Sequence, residues 1–205
     1  MSNLDNFLKL PKEKQEKIID GSLKAFGRSG YKKTSTADIA AEAGISKAMV
    51  FHYFGTKKKL YFYLIQLCGD LFMNQINDHR DPQETDFFDR IRRAGDLKIQ
   101  VMKQQPSILP FLKSMFLETD EEVKAEINAL FATGQKAERF RQRIVFEGMD
   151  DSKFVEEVDP QLIYKMLIWM SEGFANHLTG DIDNLESFYK DFIDCLNLLK
   201  KAFYK

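Results

Sequence analysis

The side chains best suited to chemistry lie close together, between Thr34 and Leu60. Within this stretch Lys47, His52 and Tyr53 can donate hydrogen bonds to phosphate oxygens, and a lysine can also reach the edge of a guanine base. Ala48 beside them is small enough to let another backbone come near. Donors grouped in this way are typical of a surface that binds nucleic acid.

Two short helices with a glycine between them are predicted to position these donors. Ser35 or Thr36 can cap the first helix, because a side-chain oxygen there accepts from a backbone N–H that has no partner inside the helix. Gly44 ends that helix, since glycine takes the left-handed backbone conformation without a steric penalty. Ser46 then caps a second helix over about residues 47–54. Such a pair forms a helix-turn-helix, whose second helix enters the major groove of DNA.

A run of lysines follows this pair of helices. Thr56 is expected to cap a third helix from Lys57, whose N-terminal N–H groups and positive dipole end suit a phosphate. A lysine run alone is more often the solvated face of an ordinary helical hairpin, but together with the capped pair it favours DNA binding. The residues expected at the DNA are Lys33, Thr34, Thr36, Ser46, Lys47, Ala48, Met49, Phe51, His52, Tyr53 and Lys57.

The same stretch resembles the DNA-binding signature of tetracycline-repressor (TetR)-type transcriptional regulators. The matching residues are Thr36, Asp38-Ile39-Ala40, Ala43-Gly44-Ile45-Ser46-Lys47-Ala48, Phe51-His52-Tyr53-Phe54, Lys57 and Leu60, in the first third of the chain. Two departures matter, because the family often has Thr at Met49 and Tyr at Phe51. Both remove a hydroxyl, so these side chains would make apolar contacts with DNA, for example with a thymine methyl group.

Charge is distributed unevenly along the chain. Residues 1–60 hold 12 Lys and Arg against 6 Asp and Glu, whereas the remainder holds 18 against 25. We call residues 1–60 the head and the remaining residues the body. A positively charged head on a negatively charged body is the distribution expected when the head binds a polyanion. We therefore expect a helix-turn-helix DNA-binding domain over residues 1–56 and an effector-binding and dimerisation domain over residues 57–205.

Composition narrows the remaining classes. No apolar run approaches the length of about 18 residues that a membrane span needs, and no signal peptide is visible, so we expect a cytoplasmic protein with no membrane partner. Cys68 and Cys195 are predicted to be packing residues in a reducing compartment, with a redox sensor as the alternative. From caps, breaks and apolar spacing we expect an all-α fold of about nine helices.

Enzymatic chemistry is not expected. The three histidines are scattered, and neither a zinc-protease motif, a phosphate loop, a nucleophile elbow nor a dinucleotide fingerprint is present. The nearest approach to a metal pair would be His177 with Glu172 or His79, and a lone helical histidine is more often simply hydrogen-bonded. We expect no cofactor and no metal.

The last two predicted helices carry apolar residues in steps of three and four. Such a stripe can serve an internal core, or pair with a second chain as a four-helix interface. In TetR-like chains the last two helices pair across a twofold axis, so the resemblance implies a homodimer that reads two half-sites of a palindromic operator. The interface residues expected are Met170, Phe174, Leu185, Phe188, Phe192, Leu196 and Leu199.

A set of aromatic, methionine and other apolar residues lies between the head and this stripe. It comprises Phe72, Met73, Phe87, Ile91, Ile108, Phe111, Met115, Phe116, Phe131, Tyr164 and Trp169. Such residues usually form plain core, but the resemblance implies a pocket for a small apolar or aromatic effector. The function expected is a ligand-responsive repressor released from its operator by that effector. The alternative is a DNA-tethered adaptor whose helical body binds a protein partner.

Overall fold

The computed structural model describes residues 3–133, 135–177 and 182–205, without the side chains of 131–133, 135–137, 174–176 and 182. Over these ranges the chain forms α-helices, one short 3₁₀ turn at Asp151–Lys153 and a single isolated bridge between Phe154 and Tyr204. The helices are α1 Asn3–Leu8, α2 Lys12–Lys33, α3 Thr36–Ala43, α4 Lys47–Phe54, α5 Lys57–Asp78, α6 Phe87–Gln104, α7 Ile108–Phe116, α8 Glu121–Thr133, α9 Gln135–Val145, α10 Pro160–His177 and α11 Ile182–Phe203. The predicted all-α class is confirmed.

The described helices largely follow the nine predicted from the sequence, with one addition. Apolar residues at helical spacing predict one helix from about Asp120 to Val145, and the structure describes this stretch as α8 and α9; residue 134 between them lies outside the described residues. The short α1 was not expected. Helix α6 is continuous through Gly95, where the absence of a side chain makes room for the ring of Tyr189.

None of the helices described by the structure is long and apolar enough to cross a membrane.

Contacts divide the chain into two compact units. Unit 1 combines Met1–Leu71 with Gln105–Ala132, and unit 2 combines Phe72–Gln104 with Thr133–Lys205. Unit 1 therefore contains α1 to α4, α7 and most of α5 and α8. The expected boundary at residue 56 is a division by function and stays a prediction.

An aromatic core holds unit 1 together. Phe26 of α2 lies against Tyr61 of α5 with 4.9 Å between ring centroids, and Tyr61 lies 5.5 Å from Phe111 of α7. All three side chains are fully buried. Aromatic pairs at these separations stabilise a core beyond the area that they bury. Helices α2, α5 and α7 are thereby packed around one set of rings.

Unit 2 has its own core and a buried ionic network beside it. Phe87, Phe88, Phe154 and Leu196 are fully or almost fully buried in one apolar cluster. At its edge the Asp86 carboxylate accepts from the backbone N–H groups of Phe88 and Asp89 at the start of α6. Lys153 and Lys200 lie 3.2 and 3.1 Å from the same carboxylate. Burial by itself disfavours the ionised carboxylate, but these N–H and ammonium groups outweigh it and hold the pKa of Asp86 below its usual value.

Asp86→Asn should destabilise the protein by about 2 kcal/mol at pH 7, because hydrogen bonds from charged and backbone donors to the carboxylate are lost. Because the pKa of Asp86 is lowered by folding, its contribution is complete above about pH 3.9 and is lost as the pH falls through the folded-state pKa. Urea unfolding followed by circular dichroism should therefore give a smaller difference between variant and wild type at pH 3. Asp89→Asn, which removes only the more exposed partner of Lys200, is the matched control. An equal difference at both pH values would contradict this role.

Candidate nucleic-acid interface

The first helix of the predicted pair, α3, is closed at both ends by the residues expected. Ser35 is its N-cap, and its hydroxyl accepts from the backbone N–H of Asp38 at 3.2 Å. The Asp38 carboxylate accepts in return from the Ser35 N–H at 2.8 Å, which completes a capping box. Hydrogen bonds from the Ser35 hydroxyl and N–H lower the pKa of Asp38. At the other end Gly44 has φ +64° and ψ 32°, the left-handed conformation predicted for the turn.

The second helix, α4, has the bounds and the buried side expected of a recognition helix. Ser46 caps it by accepting from the Met49 N–H at 3.2 Å. Val50 and Phe54 are buried, as predicted. The side away from the core presents Lys47, Ala48, Phe51 and His52 to solvent, with Met49 half-buried. Phe51 is 41% exposed, so its ring is accessible for an apolar contact such as one with a thymine methyl group.

The junction between α2 and α3 is fixed by side chains from three elements. Gly30 has φ +72° and ψ 174°, which interrupts α2 and turns the chain. The Thr34 hydroxyl donates to the carbonyls of Gly30 and Ala25 at 2.6 and 3.1 Å. The Lys57 ammonium donates to the carbonyls of Tyr31 and Thr34 at 3.0 and 3.2 Å, and it lies 4.0 Å from the centre of the Tyr31 ring. The backbone groups left open by the turn are therefore paired.

A carboxylate from beyond α7 completes this junction. Glu118 Oε2 accepts from the Tyr31 N–H at 2.6 Å, and Glu118 Oε1 accepts from the N–H groups of Thr119 and Asp120, each at 2.9 Å. One side chain thus joins the start of α8 to the turn that precedes the helix-turn-helix. Sequence reasoning missed Glu118, because its partner lies 87 residues away along the chain.

These contacts correct three of the residues predicted to touch DNA. Thr34 is 2% exposed, and its hydroxyl donates to the Gly30 carbonyl at the junction. Tyr53 is 3% exposed, with its ring 6.1 Å from that of Phe7. Lys57 is half-buried, with its ammonium held by two carbonyls. All three side chains therefore connect elements of the head to one another, on the side away from the candidate interface.

The remaining predicted DNA contacts are accessible. Lys33, Ser46, Lys47, Ala48, Phe51 and His52 are exposed, and Thr36 and Met49 are half-buried. Thr56 caps α5 as predicted, since its hydroxyl accepts from the Lys59 N–H at 3.1 Å. The accessible set runs from the end of α2, over the start of α3, to the outer side of α4. We keep it as the candidate interface.

The residues predicted to line an effector pocket fall into different environments. In unit 1, Ile108, Phe111 and Met115 of α7 are buried core, and Phe116 is exposed. Unit 2 contains half-buried Phe72 and Met73, fully buried Phe87, and Ile91 and Tyr164 packed against its core cluster. Trp169 is 61% exposed, and the side chain of Phe131 lies outside the described residues. Phe87, Ile108 and Phe111 are fully buried in the cores of their units, and the single pocket expected from these eleven residues stays a prediction.

Unit 2 does contain a small cavity at a place that sequence reasoning did not suggest. Its volume is about 20 Å³, and its lining residues are Ile76, Arg80, Asp81, Glu84, Arg90, Arg93, Ala94, Leu97 and Ile144. This is room for roughly one water molecule. The buried Arg90 guanidinium donates to the carbonyls of Glu84, Val145, Glu147 and Gly148. Burial lowers the pKa of Arg90.

The predicted dimer residues also divide. Leu196 is fully buried and Leu185 almost so, and Leu196 belongs to the core of its own protomer, which corrects its assignment to the interface. Met170, Phe188, Phe192 and Leu199 are half-buried, and the side chain of Phe174 lies outside the described residues. The strongly exposed apolar side chains of the last two helices are instead Leu162, Met166, Trp169 and Leu198.

Comparison with known proteins connects this geometry to a family. Residues 18–64, which hold most of α2, all of α3 and α4 and the start of α5, match the family model described as bacterial regulatory proteins, tetR family. The nucleoid occlusion factor SlmA of Vibrio cholerae is 27% identical over 150 residues, which cover 72% of this chain and 74% of SlmA.

Two further similarities concern the head and the fold. IcaR of Staphylococcus aureus, the negative transcriptional regulator of the biofilm operon icaADBC, is 36% identical over 62 residues, 30% of this chain and 33% of IcaR. The structure of SmeT in complex with triclosan has a TM-score of 0.70 and 18% identity, and the match covers 94% of this chain and 92% of SmeT. SmeT is the repressor of the multidrug efflux pump SmeDEF of Stenotrophomonas maltophilia. At this identity the likeness concerns the fold.

Lys47→Ala should weaken binding to duplex DNA and lower the slope of log affinity against log salt by about 0.9, because one phosphate contact is lost. Lys57→Ala should lower thermal stability, because two carbonyls at the junction lose their donor, while the salt slope stays unchanged at temperatures where the variant is folded. Fluorescence anisotropy over a salt series measures both slopes. Lys12→Ala, an exposed lysine at the start of α2, is the control. Equal changes in salt slope for Lys47→Ala and Lys57→Ala would show that Lys57 also contacts a phosphate.

Proposed function

We propose that this chain, which belongs to the tetR family of bacterial regulatory proteins and is a DNA-binding transcriptional regulator and not an enzyme, is a cytoplasmic repressor. In this proposal it binds a palindromic operator as a homodimer and is released by a small apolar or aromatic effector. The observation that carries the proposal is the outer side of α4, where Lys47, Phe51 and His52 are exposed on a doubly capped helix-turn-helix. IcaR, similar over this head, is a negative regulator.

Recognition of the operator combines charge with apolar contact. Lys47, in the first turn of α4, can reach a guanine edge or a phosphate, and Ala48 beside it leaves space for the duplex backbone. Phe51, one turn further along the same helix, is the side chain suited to a thymine methyl group. The exposed Lys33 before α3 and the capped start of α5 then meet phosphates on either side.

The exposed apolar side chains of α10 support the dimer. Leu162, Met166 and Trp169 are spaced by four and three residues, so they lie along one side of the helix. They are 50%, 39% and 61% exposed, and a row of large apolar residues in water marks an interaction surface. We place the centre of the dimer seam at Trp169, with the half-buried Met170 beside it. The interface is thus shifted from the buried Leu196 to the outer side of α10.

Trp169→Glu should convert the dimer into a monomer, because a carboxylate in an apolar seam loses its hydration without gaining a partner. Light scattering after size exclusion at micromolar concentration measures the mass. Leu117→Glu makes the same kind of change at an exposed leucine of unit 1, 53% exposed, and should leave the mass unchanged. A monomeric wild type, or a Trp169→Glu variant that remains dimeric, would reject this seam.

Release by an effector needs a connection from the body to the head. Within unit 1, α7 packs along α2, and the Glu118 carboxylate at the start of α8 holds the Tyr31 N–H of the junction. A ligand that displaces the α7–α8 connection would withdraw this acceptor and free the turn that positions α3 and α4. The small cavity of unit 2 is far below the roughly 300–1,000 Å³ of a typical ligand site. Ligand entry there would require its helices to separate.

Glu118→Ala should weaken operator binding although it adds no charge that repels DNA, because the Tyr31 N–H loses its acceptor at a cost of about 1–3 kcal/mol. Glu121→Ala removes the same charge from the exposed first turn of α8 and separates the electrostatic effect from the loss of the junction. Anisotropy on an operator obtained by genomic selection measures both variants. Binding that is equal in the two variants would contradict a role for Glu118 in the junction.

The second candidate function is a DNA-tethered adaptor whose helical body binds a protein partner, and the similarity to SlmA favours it. SlmA is named a nucleoid occlusion factor, and its similarity covers nearly three quarters of each chain, well beyond the head. A thermal-shift screen of metabolites and drugs separates the two functions, since a ligand of the folded state raises its stability. Compounds that stabilise the body and release the operator support the repressor. A screen in which nothing stabilises the body or releases the operator supports the adaptor.

A further inference from the structure

The short helix α1 lies outside the helix-turn-helix and yet contacts its recognition helix directly. It precedes the residues that match the family, which begin at residue 18. Asn3 is its first residue, and the side-chain Nδ2 donates to the carbonyls of Phe51 and His52 at 2.9 and 3.1 Å. Both carbonyls belong to the last turn of α4. The C=O groups of a last turn have no N–H partner within the helix, and some of them pair with the turn that follows. Asn3 thus acts as a C-terminal cap supplied by another helix.

Phe7 of α1 adds an apolar wedge to this cap. Its side chain is fully buried, and its ring centroid lies 4.9 Å from that of Phe54 and 5.8 Å from that of Tyr63. The ring therefore sits between the last turn of α4 and the first turns of α5. Tyr53, the next ring, is 6.1 Å away. The side of α4 opposite the DNA surface is thus covered by a residue that precedes the motif.

The far end of α1 is tied to α2. Gln15 Nε2 donates to the carbonyls of Leu8 and Leu10 at 3.2 and 2.7 Å, where α1 ends. The helix is therefore held at one end by α2 and at the other by α4. This fixed bridge limits how far the last turn of α4 can fray or rotate relative to α2.

Such support matters because α4 has only eight residues. Helices of this length are unstable alone in water, and their last turn loosens first. Phe51 and His52, whose carbonyls Asn3 holds, are also the exposed side chains of that turn. We propose that Asn3 and Phe7 are specificity-positioning residues, which hold Phe51 and His52 ready for base contact. This inference rests on the proposed function, in which α4 reads the operator.

The inference makes a prediction about specificity that simple stabilisation does not. If α1 holds the last turn of α4 in place, removing its contacts leaves Phe51 and His52 less ordered in the free protein. Binding to the operator must then order these side chains, whereas binding to an unrelated duplex need not. Contacts to phosphates, which bind any sequence, remain. Asn3→Ala should therefore lower operator affinity about tenfold, the cost of ordering two side chains on binding, and leave affinity for an unrelated duplex unchanged.

The test compares Asn3→Ala with Asn6→Ala, a matched asparagine on the same helix whose side chain makes none of these contacts. Anisotropy gives the affinity of each full-length variant for a selected operator and for a scrambled duplex at one salt concentration. Hydrogen exchange should be faster at the last-turn amides of α4 in Asn3→Ala but not in Asn6→Ala. Phe7→Leu, which keeps an apolar side chain, should reduce specificity in the same direction.

Each other outcome overturns the inference. Equal losses on operator and scrambled DNA would mean that α1 serves general binding, and unchanged operator affinity with unchanged exchange would mean that the cap has no effect. A wild-type protein that selects no sequence would reject the proposed function and this inference together. A wild type that selects an operator, with an Asn3→Ala variant that reads it equally well, would reject the inference alone.

Discussion

The turn at Gly30 is the constraint on which the head depends. A left-handed residue at the end of a long helix interrupts the regular pairing of N–H and carbonyl groups, and buried backbone groups without partners are costly. Three side chains pair these groups: the Thr34 hydroxyl, the Lys57 ammonium and the Glu118 carboxylate. They come from the turn itself, from α5 and from the start of α8. The orientation of α3 and α4 relative to α2 thus depends on hydrogen bonds that reach across the whole unit.

This dependence explains why unit 1 is not a simple N-terminal domain. The motif for DNA binding ends within the first third of the chain, but its packing partner α7 and its junction residue Glu118 come from residues 105–132. A regulator needs a physical link between the part that senses and the part that binds, and coupling requires contacts that differ between two states. In the proposed function the Glu118 carboxylate on the Tyr31 N–H is the candidate for this link, because one hydrogen bond costs less to break than the packed aromatic core.

Unit 2 pairs its buried charged side chains with groups at helix ends and with lysines. Its buried cation, Arg90, has carbonyl oxygens at the end of α9 as acceptors, and the negative end of a helix stabilises a positive charge. Its buried anion, Asp86, caps α6 and contacts two lysines. Both charges join segments distant in sequence, so they specify how the helices of the body meet. The exposed row of Leu162, Met166 and Trp169 on α10 is the surface of this unit at which we propose the dimer seam.

Residue types and their spacing were enough to predict the local elements of the head. Ser35, Gly44, Ser46 and Thr56 act within three or four residues of themselves, so their caps and turns, the bounds of α4 and the burial of Val50 and Phe54 followed from spacing. The all-α class followed equally from periodicity and from the proline and glycine breaks. Which polar side chains of the head face solvent and which face inward depends on tertiary packing. Thr34, Tyr53 and Lys57 have the chemistry to bind phosphate, but the fold engages each of them elsewhere. The Thr34 hydroxyl donates to carbonyls four and nine residues before it. Tyr53 packs against Phe7, and the Lys57 ammonium donates to carbonyls 26 and 23 residues before it. The same reason separates core from surface in the body, where Leu196 and Trp169 are both apolar and helical, and only packing places one inside and leaves the other exposed.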